Sequence, residues 1–317
     1  MHASLSQAIR QRLVAFQRSL PDIGPSAHAG QGRAGAPHGM PADDRPDRVS
    51  PDRSWLDRAE VVVNEAGEHL RILVPVEALW PECHGLLARR PITDPNQEVA
   101  QNISTQLRFS RNPCADPGFG TASKKGSTVM HPELVALAAG LPHATLLLDL
   151  ETCGFAGSAI FLIGLVRQVR HRLHVELLLA RNYAEEPAIL VTLRAAMATC
   201  RCLVTFNGKS FDWPMVWDRS IRHRLDPDRW PSRTHCDLLH HARRRWKSVL
   251  PNCRLQTLET HVCGRHRTDD VPGSAIPEVY HDYVRSGRTD RLAGILHHNG
   301  LDLVTLLDLA LRMTCDG

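Results

Sequence analysis

The 317-residue chain contains no apolar run that approaches the roughly 18–20 residues a membrane-spanning helix needs. Its first residues also lack the unbroken apolar core of a secretory signal. No membrane association is therefore expected. No Cys-x-x-Cys pair occurs, so a thiolate-built structural zinc site has little support. The nine cysteines (Cys83, Cys114, Cys153, Cys200, Cys202, Cys236, Cys253, Cys263 and Cys315) are odd in number and scattered, which argues against a disulfide framework. Together these absences point to a reduced, cytoplasmic chain. Strong charge of one sign is missing too. A net charge of +4 permits an anionic partner without requiring one. No internal repeat is visible.

With 43% hydrophobic residues, a chain of this length can bury a sizeable core and make one or two domains. Leu5, Ile9, Leu13, Phe16 and Leu20 recur at helical spacing, and the Gly-, Pro- and Arg-rich stretch to Pro51 has too few large apolar residues to offset the entropy of ordering. Residues 1–54 read as a helix and a disordered linker. Within 55–140 a hairpin is expected, with Val61 to Val63 and Leu70 to Val76 flanking Asn64-Glu65-Ala66-Gly67. The rest of that region is read as irregular, particularly 91–128. The character changes near Ala144, where a domain spanning 144–313 begins. Thr145 to Leu150 reads as a buried strand, Ala159 to Val169 and Leu173 to Ala180 as an antiparallel pair, and Cys202 to Phe206 as a fourth strand. His235 to Leu238 is a short fifth strand. Helices are expected at Glu186 to Thr199, Asp212 to Arg222 and Arg291 to Leu309. The fold class is α/β: a mixed five-stranded sheet, with three antiparallel strands followed by parallel strand–helix units, flanked by helices.

Four carboxylates at three places in this frame carry chemistry. Asp149 and Glu151 end the first buried strand and, two residues apart, point to one face. Two carboxylates there repel one another and lose hydration unless a cation or a proton resolves the conflict. They could equally end the strand facing water. Asp212 follows the fourth strand and the loop Asn207-Gly208-Lys209-Ser210, where it can cap a helix, face a ligand at the sheet edge, or both. Asp302 lies within the last helix, one turn from His298.

In combination these segments resemble a known family. Leu148-Asp149-Leu150-Glu151-Thr152, the run from Asn207 to Asp212, and His298-Asn299-Gly300-Leu301-Asp302 resemble the three motifs of the DEDD exonuclease superfamily. The finer resemblance is to its YprB-type ribonuclease H-like domain. It rests on Phe206 to Asp212, the His-x-Asp-Leu-Leu-His run His235 to His240, Asp270 to Gly273, and Ile276-Pro277. It covers about half the chain.

The resemblance implies a metal-dependent 3′→5′ exonuclease acting on single-stranded ends of DNA or RNA. Asp149, Glu151, Asp212 and Asp302 would hold two ions, Mg2+ or Mn2+, and His298 would take the proton of the attacking water. Families of this kind place the catalytic group either five or four residues before the last Asp, and here His297 and His298 occupy both positions. His298 is preferred because it shares a helical face with Asp302. Thr152, Gly154, Asn207 and Lys209 are the expected substrate contacts. The basic run Arg243-Arg244-Arg245-Trp246-Lys247 is either a phosphate-binding stripe or a solvated helix face, and Trp213 and Trp217 are either base-stacking or core residues. A structure-specific endonuclease and a non-catalytic nucleic-acid-binding module are alternatives on the same fold. Residues 1–140 could tether the domain to a helicase or DNA repair protein.

Overall fold

The computed structural model describes residues 54–83, 130–154, 157–226, 229–267 and 270–315. The helix expected over 4–20, the linker over 21–51 and the irregular stretch over 91–128 lie outside the described residues.

Among the described residues, seven strands form one sheet: β1 (Glu60–Asn64), β2 (Gly67–Pro75), β3 (Thr145–Thr152), β4 (Ile160–Val169), β5 (Arg172–Leu179), β6 (Cys202–Thr205) and β7 (Thr234–Asp237). Their order is β1-β2-β5-β4-β3-β6-β7. β3, β4 and β5 pair antiparallel, while β6 and β7 add parallel to β3. The expectation of five strands is corrected to seven. The hairpin β1–β2 forms as its turn residues suggest, and β2 then pairs antiparallel along the open edge of β5, from Leu70 opposite Leu179 to Pro75 opposite His174. An exposed strand edge is a row of unpaired backbone donors and acceptors, and β2 satisfies it. β2 also buries Leu70, Ile72 and Val74 on one face, each contributing about 1.5–3 kcal/mol.

Helices cover both faces. In chain order they are α1 (Ser54–Asp57), α2 (Val76–Leu79), α3 (Pro132–Gly140), α4 (Glu186–Ala196), α5 (Asp212–Arg222), α6 (Leu238–Trp246), α7 (Leu255–His261), α8 (Ile276–Ser286) and α9 (Asp290–Cys315). β3 shows how the two cores arise. Leu146, Leu148 and Leu150 join the cluster beneath α4 and α5, with Ile189, Leu190 and Val216. Leu147 joins the larger cluster on the other face, built around Leu303, Leu307 and Ala310 of α9. By strand alternation Asp149 and Glu151 project to the α9 face, below Leu147. α9 extends past the expected Leu309 because Ala310, Leu311 and Met313 are also buried, so its apolar surface wraps most of the helix.

α9 lies very close to the sheet, and glycine makes this approach feasible. Gly164 pairs with Asp149 across β3–β4, and a Cβ at Gly164 would fall 1.8 Å from Asn299 Oδ1. At the outer side of α9, a Cβ on Gly300 would meet the Trp55 ring at 2.7 Å. Gly164→Ala is expected to destabilise the fold by about 1–3 kcal/mol through overpacking. Urea unfolding checks this, and an unchanged midpoint would show that α9 does not need this clearance.

Candidate active site

The site is assembled where β3 ends, beside the N-terminus of α5 and the middle of α9. Asn299 of α9 is fully buried and reaches across to the sheet. Its amide donates to Asp149 Oδ2 at 2.7 Å and more weakly to Glu151 Oε1 at 3.5 Å. One neutral side chain thus spans both carboxylates of the first motif.

Asp212 is delivered by a tightly specified loop. Asn207 has a left-handed backbone (φ 66°), a conformation that Asn tolerates better than most residues. A Cβ at Gly208 would collide with the Thr205 side chain. Buried Asp237, at the end of β7, accepts from the backbone N–H groups of Asn207 (2.8 Å) and Lys209 (3.1 Å), and also from Leu239 as the cap of α6. The loop is therefore held by its neighbouring strand, and Asp212 enters as the first residue of α5 rather than as its cap. The backbone N–H groups of Asp212 itself and of Leu150, between Asp149 and Glu151 in sequence, favour its ionised form.

Asp302 and His298 approach from α9. His298 is buried, with Nδ1 2.7 Å from Asp270 Oδ1 and Nε2 3.4 Å from Asp302 Oδ2. The Asp270 carboxylate accepts, so Nδ1 carries a proton and Nε2 is the ring atom that faces Asp302. Arg267 donates to Asp302, to Glu259 and to Asp270 Oδ2 at 3.2 Å, and Glu259 is itself anchored by Thr305 at 3.0 Å. His297 faces elsewhere, edge-on to Trp55 at 6.4 Å. Of the two candidate histidines, His298 is the one beside Asp302.

The four carboxylates expected from sequence are thus gathered at one place. The expected substrate contacts are less uniform. The Thr152 hydroxyl donates to the Gly154 carbonyl at 2.9 Å, and Gly154 (φ 138°) turns the chain. Lys209 is engaged with Glu133 at 2.7 Å. Asn207 borders an open cleft with Phe206, Leu239, Arg243, Asn252 and Arg254. Arg243, Arg244 and Arg245 are exposed, while Trp246 packs against the core. Trp213 packs edge-on to Trp230 (5.4 Å), whereas Trp217 is 40% exposed.

The family model described as the RNase H superfamily matches residues 146–314, just over half of the chain. The chain belongs to that superfamily. It is 37% identical over 172 residues to the protein YprB of Bacillus subtilis (strain 168), covering 52% of this chain and 41% of that relative. The match therefore spans less than half of YprB. A solved structure, the family B DNA polymerase of the hyperthermophilic archaeon Pyrobaculum calidifontis, overlaps at a TM-score of 0.44 and 14% identity, over 54% of this chain and 24% of the polymerase. So slight an overlap says nothing further about this chain.

Asp237, Arg267, Asp270 and Asn299 carry contacts at this RNase H-like site that sequence reasoning did not assign. Asp237, Asp270 and Asn299 do lie inside the motifs that carry the resemblance, and that was their available signal. Arg267 has no such signal. It sits in an irregular segment, and only the fold brings it to Asp302.

Electrostatics show the cost of this arrangement. Burial, followed by the charges of Asp302, Glu151 and Asp212, pushes Asp149 well above the usual carboxylate range. Burial and Asp302 raise Glu151 to about 8, despite the Asn299 amide. Burial raises Asp212 to about 7, with Asp237 adding to it. Burial also works to raise Asp270, but His298 and Arg267 outweigh it and hold this group low. Burial disfavours the Arg267 charge, yet Asp302 and Glu259 keep it firmly protonated. An all-oxygen donor set whose members resist ionising alone suits hard divalent cations, which would relieve the repulsion. Asp302 would first have to loosen its pairing with Arg267.

The raised values have a definite sign for stability. From the ordinary Glu value of 4.5 to about 8, the folded protein keeps a proton on Glu151 that the unfolded chain has released, so stability falls as pH rises through this window. Asp212 acts likewise from 3.8 to about 7. In chelator, the melting temperature should fall as pH rises across this range, and Asp149→Asn should raise it at the alkaline end by roughly 3–6 °C. Thermal scans of both proteins across pH check this. A variant that melts at or below wild type there would mean the carboxylates are not in conflict.

Proposed function

We propose that this chain is a metal-dependent phosphodiester hydrolase, a 3′→5′ exonuclease acting on single-stranded DNA or RNA ends. The observation that carries the reading is the convergence of Asp149, Glu151, Asp212 and Asp302 on one pocket, with Nε2 of His298 turned toward it. Two divalent ions, Mg2+ or Mn2+, held by these carboxylates would activate water and neutralise charge on the leaving oxygen.

The chain's own groups supply the remainder. Asp270 holds His298 in the tautomer that leaves Nε2 unprotonated, so the imidazole can accept a proton from water. At 3.4 Å, Nε2 makes only a poor contact with Asp302 and is not committed to it. Asn299 keeps Asp149 and Glu151 in fixed orientations. Arg243 and Arg254, in the cleft beside Asn207, suit the phosphates of an entering strand. Gly154, with no side chain and a backbone few other residues adopt, leaves room for a terminal nucleotide.

The direct test uses single-stranded DNA and RNA labelled at the 5′ end, with Mg2+ or Mn2+. A ladder of shortening labelled products is expected from wild type, with Asp149→Ala slower by at least about a hundredfold, as for loss of a transition-state stabiliser. Internal cuts at defined structures would instead indicate an endonuclease. Intact substrate with binding retained would indicate a non-catalytic module.

Two further outcomes follow from the geometry. Asp270→Asn should lower the single-turnover rate by at least about tenfold while leaving strand binding near wild type, because it loosens the orientation of His298 and the pairing with Arg267, neither of which holds the strand. Equal rates would remove Asp270 from the machinery. Replacing Arg243 and Arg254 by Gln should weaken strand binding and reduce the salt slope by roughly 0.7 for each phosphate that is no longer neutralised. An unchanged slope would place the strand elsewhere.

A further inference from the structure

A second group of potential ligands lies outside the carboxylate pocket. His131 stands at the N-cap of α3, Glu133 is in the first turn of that helix, and His241 lies on α6, more than a hundred residues further along the chain. Each offers one ligand atom, and these atoms all lie within 4.8 Å of one another. His241 Nε2 is 3.0 Å from Glu133 Oε2, and the His131 and His241 rings meet edge-on with centroids 4.8 Å apart. His241 is buried, while His131 and Glu133 are partly exposed, so the cluster opens to solvent on one side. As a helix cap His131 is an unusual choice, and its Nδ1 accepts from Glu133 N at a long 3.3 Å.

We propose that His131, Glu133 and His241 form a binding site for one transition-metal ion of the zinc class. The site shares no ligand with the carboxylate pocket and would take different metals. Two imidazoles and one carboxylate suit Zn2+ and its neighbours, with bonds of about 2.0–2.2 Å, and they leave a fourth position open to water. An all-oxygen pocket suits Mg2+ or Mn2+ instead. Closing the cluster around an ion requires movements on the order of an ångström, which the partly exposed His131 ring can supply.

Two cations now stand where the ion's charge would be felt. Lys209 Nζ is 2.7 Å from Glu133 Oε1, and Arg244 contacts His241 Nδ1 at 3.3 Å. Both have exposed side chains that can move into water, and a bound ion would take over the neutralisation of Glu133. Lys209 lies in the loop that precedes Asp212, and filling this site would free its ammonium from Glu133. The inference does not depend on the nuclease reading.

The experiment titrates Zn2+ into the full chain carrying Asp149→Asn, which weakens the contribution of the carboxylate pocket. One equivalent should bind, and Glu133→Gln and His241→Gln should each weaken binding by at least about a hundredfold. His131→Gln, at a partly exposed helix cap, serves as the ligand variant if His241→Gln fails to fold. Co2+ in place of Zn2+ should give the visible bands of a low-coordinate nitrogen–oxygen site with no sulfur-to-cobalt charge transfer. No Zn2+ binding, binding unaffected by these substitutions, or a thiolate band from the cysteines would overturn the proposal.

Discussion

Two carboxylates at the end of one buried strand impose the constraint around which the rest of this molecule is arranged. Asp149 and Glu151 cannot turn away from each other, because residues two apart on a strand share a face. Water reaches them only in part, since α9 packs over that face. Asn299 meets both with a single amide, and Gly164 on the neighbouring strand leaves space for it. The burial that holds α9 on the sheet is therefore also what raises these carboxylates, so stability and site chemistry draw on the same contacts.

The other two carboxylates, Asp212 and Asp302, are positioned by partners outside the set of four. Asp237 anchors the backbone of the loop leading to Asp212, linking β7 to the N-terminus of α5. Arg267 joins Asp302, Glu259 and Asp270, tying the segment after α7 to the central helix. A buried cation shared among three acids leaves none of them unpaired, whereas removing one member of such a network leaves an uncompensated charge. The orientation of His298 depends on the same segment, since Asp270 both holds the imidazole and pairs with Arg267.

The hairpin has a structural role of its own. β2 closes an edge that β5 would otherwise leave open, and its apolar face enlarges the core that supports α9. Trp55 of α1 presses against Gly300 and His297 on the outer side of α9. The residues before the nuclease-type motifs thus help to hold the helix that carries His298, Asn299 and Asp302.

Much of this architecture is legible in the linear pattern. The apolar run of β3, the antiparallel pair after it and the short strands β6 and β7 follow from periodicity and breakers, because local patterning and strand length are local properties. The four carboxylates stand at a strand end, a helix start and a helix face, but only the resemblance of their motifs to a known family joined them into one site. The extension of the sheet to seven strands could not be read, since edge pairing is a choice among distant segments that alternation alone does not make. For the same reason Arg267 and the cluster of His131, Glu133 and His241 become visible only in three dimensions. Sequence by itself determined which residues could carry charge at the ends of buried elements. Tertiary structure alone decided which of those charges face one another, because packing α9 and α3 against the sheet sets the distances on which repulsion, pairing and metal affinity depend.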